Sequence, residues 1–226
     1  MRLLPLLVLL AGCENLDITL AEQARAAHER MHQRFDAARR LQVAIALSDL
    51  ERAKIEAETI ETLDEPDFLP QWRPYLDNVR AAAKQVRLAG DTAVAARASA
   101  ELGRSCAQCH AASSSKIVLP NEPQPTDHSK LGPQMASHQW AAARMWEGLI
   151  TGSDERWLSG ARTLGAGRVD IVAEGGTQSL GAADHAARMR LLANRALAPA
   201  SRYDRAALYG DLLATCARCH FAIRDR

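Results

Sequence analysis

The chain has 226 residues, enough for one large or two small domains each with its own core, and carries a formal net charge of +1. Lysines and arginines are interspersed with acids rather than gathered into a stripe, which excludes the electrostatic footprint of a nucleic-acid binder. Aromatic residues make up 4% of the chain, and alanine, leucine and arginine outweigh the β-branched types, so the composition favours an all-α protein.

The first segment is Met1-Arg2, an apolar run from Leu3 to Leu10, and Leu10-Ala11-Gly12-Cys13. The run is much shorter than the roughly 20 residues a membrane-spanning helix needs, so it reads as a processing segment. It resembles a bacterial lipoprotein signal, which implies a signal peptide over residues 1–12 and lipidation of Cys13. Each buried methylene contributes about 0.8 kcal/mol, so two or three acyl chains would anchor stably where one would not. That resemblance implies a periplasm-facing lipoprotein of the bacterial cell envelope, and Glu14 after the lipidated cysteine implies the outer rather than the inner membrane.

Residues 16–47 read as one amphipathic helix, with Ala24, Met31, Phe35, Ala38 and Ile45 spaced along one face. Ser48-Asp49 can cap a second helix running to about Thr62, and a break over 64–70 containing Pro66 and Pro70 separates it from a third at about 72–88. Gly90-Asp91 introduces a fourth, which ends near His110. Residues 113–133 hold Ser113-Ser-Ser115 and four of the nine prolines, and read as a linker. This segment either moves freely or packs against a neighbouring site.

The same order then recurs: a helix over about 134–151, one entered by Ser153-Asp154-Glu155, a looser stretch over 165–178, a third helix over about 182–197, and a last one after Pro199-Ala-Ser201. Asp36-Ala-Ala-Arg-Arg40 is matched by Ala141-Ala-Ala-Arg144. Four helices with short loops in each half predict two tandem four-helix bundles, over residues 13–112 and 134–226.

Four of the five cysteines form two Cys-x-x-Cys-His motifs, Cys106-Ala-Gln-Cys109-His110 and Cys216-Ala-Arg-Cys219-His220, each closing the fourth helix of its half. This pattern attaches a c-type haem: two thiols a helical turn apart reach neighbouring vinyl groups, and the adjacent histidine meets the iron as proximal ligand. A single motif could serve zinc or thiol redox chemistry. No further cysteine pairs complete a tetrahedral site, however, and the βαβ setting of a thioredoxin-like pair is absent. Two covalently bound haem c groups are therefore expected.

Because each motif falls at the end of its bundle, the chain resembles the class II cytochromes c, the cytochrome c prime and c556 type. In that family the distal face of the haem meets the first helix, where c556 members place a methionine and cytochrome c prime members leave the iron five-coordinate. The resemblance implies distal ligands from residues 31–35 and 135–139. Met31 is favoured for the first iron, with His32 as the runner-up and core packing as Met31's other reading. His138 is favoured for the second, with Met135 as the runner-up. Aligning Met31 with Met135 pairs Arg34 with His138, so the two sites are not expected to be ligated alike.

Together these features imply an electron-transfer protein rather than an enzyme. Peroxidase-like activity is the less favoured alternative, and a gas-binding or sensing protein with one five-coordinate iron is the leading one. The expected partners are redox proteins of the periplasm or membrane and membrane lipid through Cys13, with a homodimer left open. Arg104 and Arg218, beside the motifs, are candidates for pairing haem propionates.

Overall fold

The computed structural model describes residues 4–64, 70–115, 117–167, 180–199 and 201–224, with the backbone alone for 4–21, 70, 180, 202 and 224. The chain is all-helical, and no strand occurs among the described residues. Among the described residues there are eight α-helices: α1 Leu4–Ala46, α2 Leu50–Thr62, α3 Arg73–Arg87, α4 Thr92–Ala112, α5 Leu131–Thr151, α6 Asp154–Ala166, α7 Leu180–Arg195 and α8 Arg202–Arg224. A 3₁₀ turn, Pro70–Trp72, leads into α3.

Local chemistry explains the boundaries. Asp49 accepts from the amide of Arg52 to start α2, Asp91 from Val94 to start α4, and Ser153 from Arg156 to start α6, each satisfying a donor the helix leaves unpaired. Ser48 instead takes the left-handed turn between α1 and α2. Gly152 ends α5 at φ 72°, a conformation that costs a residue without Cβ little.

Two boundaries differ from expectation. The backbone of α1 continues through Gly12-Cys13 to Leu4, because the apolar leader is itself made of good helix formers. Cys13, the expected lipidation residue, falls in the stretch whose side chains lie outside the described residues. Helix α5 starts at Leu131 and takes in Pro133, since proline is tolerated in a first turn where its missing donor would have no partner. Most of the loose stretch before α7, residues 168–179, lies outside the described residues.

Successive helices pack on one another from α1 to α4 and again from α5 to α8, and α4 packs extensively against α8. The main apolar core runs from Leu41 and Ile45 of α1 through Leu102 of α4 and Met145 of α5 to Leu212 of α8, and a small second cluster joins Ala182 and Ala186 of α7 to Cys219 of α8. Tyr209 of α8 is buried in it and donates its hydroxyl to Gln42 of α1. The prolines of 117–130 leave that segment non-helical, but it is tied down. Arg156 donates to the carbonyl of Leu119 at 3.0 Å, Trp140 to that of Glu122 at 3.0 Å, and Arg144 to that of Pro120 at 3.4 Å. Glu147 organises these arginines, accepting from Arg144 at 2.7 Å and Arg156 at 2.5 Å.

Candidate haem sites

The first motif lies in the last turns of α4, beside a partly open cavity. Its walls include Cys106, Cys109 and His110 from α4, Met31, Arg34 and Phe35 from α1, and Trp146 and Ile150 from α5. The pocket is almost entirely apolar, as a macrocycle's hydrocarbon face requires. The ring of Trp146 packs over Gly103 of α4, where a Cβ would collide with it.

His110 is oriented by the other half of the chain. Its Nδ1 lies 3.2 Å from the carbonyl of Ile150, which can only accept, so Nδ1 carries the proton and Nε2 keeps its lone pair. Burial lowers the His110 pKa, partly offset by that carbonyl, so the imidazole is neutral at pH 7. Neutral imidazole is the form that binds a metal.

Met31 lies in the cavity, half-buried, with its sulfur 3.7 Å from Nη1 of Arg34. His32 lies outside it, exposed on the solvent side of α1, with its Nε2 3.0 Å from that of His28. Helical spacing accounts for the split, since neighbouring residues differ by about 100° around the axis. Ala24, expected on the same face as Met31, is exposed.

Arg34 is the residue at this site that sequence reasoning noted only as an alignment mismatch. It is 7% exposed and faces the two thiols closely enough for their charges to interact. Burial, and after it the neighbouring Arg80, pull its pKa down to about 10, which still leaves it fully charged at neutral pH. Ile150 was also missed as a site residue, because it comes from the opposite half of the sequence.

The second motif occupies the equivalent place in α8. His138 projects from α5 with its Nε2 buried and without a hydrogen-bond partner. Its pKa is lowered to about 4, chiefly by burial and then by the charges of His220, Arg190 and His128. The interaction with His220 places the two imidazoles in one neighbourhood although they are far apart in sequence. Gly167, at the end of α6, leaves room for that nitrogen, since a Cβ there would lie 2.8 Å from it. Burial also lowers the His220 pKa, so both imidazoles are neutral. Met135 is half-buried on the same helix.

All four motif cysteines are free thiols. Burial, reinforced by the partner cysteine, pushes Cys106 and Cys216 up to about 12, and burial raises Cys109 and Cys219 as well. Thiol–disulfide exchange needs the opposite, a depressed pKa that supplies thiolate at neutral pH. Among the described residues no three His, Cys, Asp or Glu side chains gather where they could hold a bare metal ion. A haem fits this donor set, because its macrocycle supplies four ligands of its own and asks the chain for one or two more. The orphaned His138 nitrogen, the apolar first cavity and the oriented His110 are consistent with that fit. When bound, such a group would supply one-electron redox chemistry.

Arg104, one of the propionate candidates, is engaged by Glu101 at 2.7 Å, and Arg218 is exposed. No family model matches the chain, and no curated protein or solved structure does. No described helix is long and apolar enough to cross a membrane.

Proposed function

We propose that the protein is a dihaem c-type cytochrome acting in electron transfer, built as two tandem four-helix bundles with a haem motif closing each. In this reading Cys106 and Cys109 hold one haem and Cys216 and Cys219 the other, with His110 and His220 as proximal ligands. Met31 and His138 serve as the distal ligands, and Cys13 carries the lipid that tethers the protein at the bacterial outer membrane, facing the periplasm. The observation that carries the reading is the cavity in which Met31 of α1 and the Cys106, Cys109 and His110 of α4 share one apolar wall. The buried, unpartnered Nε2 of His138 supports the same arrangement at the second site.

The chain's contribution is to exclude water and fix the ligands. Ile150 holds the His110 ring in the tautomer that leaves Nε2 available, and burial keeps His138 and His220 neutral. Pyridine haemochrome analysis of the mature chain is expected to give two covalent haems. The Cys106→Ser/Cys109→Ser and Cys216→Ser/Cys219→Ser variants are each expected to retain one. Fewer than two haems in the parent chain would overturn the proposal.

A second reading, gas binding at a five-coordinate first iron, draws on one contact. Arg34 engages the Met31 sulfur, and a sulfur so held would leave the sixth position open. Binding of carbon monoxide to the first site of the ferrous protein, without displacement of a methionine signature, would favour it.

A further inference from the structure

Corresponding positions of the two halves carry different charge. Met31 aligns with Met135 and Arg34 with His138, and the side chains of both Arg34 and His138 turn toward the motif of their own half. One is a buried cation and the other a buried neutral ring. We propose that Arg34 sets the reduction potential of the first site above that of the second, by holding a positive charge in the cavity of Cys106, Cys109 and His110. This rests on the reading of both motifs as haem sites.

The physical argument is electrostatic. A fixed cation favours the reduced state of a redox group, which carries one positive charge fewer, and a guanidinium that is itself shielded from water is little screened by it. Arg34 is 7% exposed and lines an almost wholly apolar pocket. Its neighbours do not substitute for it. Arg30 and Arg80 carry charge of the same sign but stand outside the lining of the cavity, which Arg34 enters. At the second site the arginine whose charge acts on His138 among the described residues is Arg190, which is partly exposed and therefore screened by water.

The test is a spectrally resolved potentiometric titration of the full mature chain and of Arg34→Gln, Arg34→Met and Arg34→Lys, with haem content and helicity measured on each. Both neutral variants are expected to lower one of the two potentials by about 59 mV, a tenfold change in the reduced-to-oxidised ratio for one electron. The other potential is expected to stay fixed, and Arg34→Lys to remain near the parent. Arg34→Met, whose unbranched apolar chain suits the cavity, gives the same reading if Arg34→Gln fails to fold. Two haems with unchanged potentials in the neutral variants would overturn the proposal, as would an equal shift in Arg34→Lys, which would mark a packing effect. Fewer than two haems in the parent chain would instead overturn the reading beneath it.

Discussion

Three imidazoles, His110, His138 and His220, are partly buried in their neutral form, and this makes the fold sensitive to acid in a defined direction. His138 is lowered from 6.5 to about 4, so as the pH falls the unfolded chain takes up its proton first. Its contribution to stability is complete above pH 6.5 and is lost progressively toward pH 4, with a slope of at most about 1.4 kcal/mol per pH unit for one proton. Urea unfolding of haem-free protein across this range is expected to show stability rising with pH. His138→Leu should flatten the rise without abolishing it, because His110 and His220 are shifted the same way. An unaltered profile in that variant would contradict the assigned burial. Gly167→Ala probes the same residue from the other side, since its Cβ displaces the ring nitrogen. Under the proposed dihaem reading it is expected to change the ligand-sensitive spectrum of the second site and leave the first intact. His138 was legible in the sequence because a histidine on an inward helix face is poorly explained as core. Arg34 was not, because an arginine on an amphipathic helix ordinarily reads as surface, and only the cavity reveals a guanidinium among apolar walls.

Helix starts were readable where a short polar side chain precedes an apolar run, as at Asp49, Asp91 and Ser153, because the capping hydrogen bond is local. Helix α8 has a stronger device than the sequence reading recognised. The hydroxyl of Ser201 accepts from the amide of Asp204 at 3.2 Å, while the Asp204 carboxylate accepts from the amide of Ser201 at 3.2 Å, a reciprocal box. Ser201→Ala is expected to cost about 1 kcal/mol, read as a lowered urea midpoint with an unchanged slope and undiminished haem content. Where the sequence misled, at the start of α1 and at Pro133, the deciding factor was continuation of a helix through residues that tolerate it. Local signals mark where a helix can stop rather than where it must. The segment 117–130 shows the complementary limit. Its prolines foretell the absence of helix, but its attachment depends on Trp140, Arg144 and Arg156, which lie in later helices. Glu147 is buried between the two arginines, and Glu147→Ala would leave Arg144 buried without that carboxylate. A loss of about 3–5 kcal/mol is expected in urea unfolding, together with faster proteolysis of the 117–130 segment.

Repetition in the sequence suggests two halves that stand alone, whereas the packing joins them. Helices α4 and α8 lie against one another, and Gly210 of α8 permits the approach, since a Cβ there would lie 3.1 Å from the Cα of Arg97. Ile150 of the second half orients His110 of the first. The ring of Trp146, a wall of the first cavity, lies 5.9 Å from that of Tyr209, whose pKa is raised by burial and then by the nearby Cys216. A side chain shared in this way is invisible to a repeat comparison, because it has no counterpart within its own half. Such a structure should unfold as one cooperative unit, since separating the halves would expose the apolar faces of α4 and α8 and release the His110 ring. Tyr209 offers the sharpest test, being fully buried at the junction and hydrogen-bonded to Gln42 of α1. Tyr209→Ala removes an aromatic ring from the core and should cost about 3–5 kcal/mol. Because the ring belongs to both halves, native-state hydrogen exchange should show that loss equally in the slowest amides of α1–α4 and of α5–α8. If the α5–α8 amides lost protection while those of α1–α4 kept theirs, the halves would be independent folding units and the first site would not need the second to hold its shape.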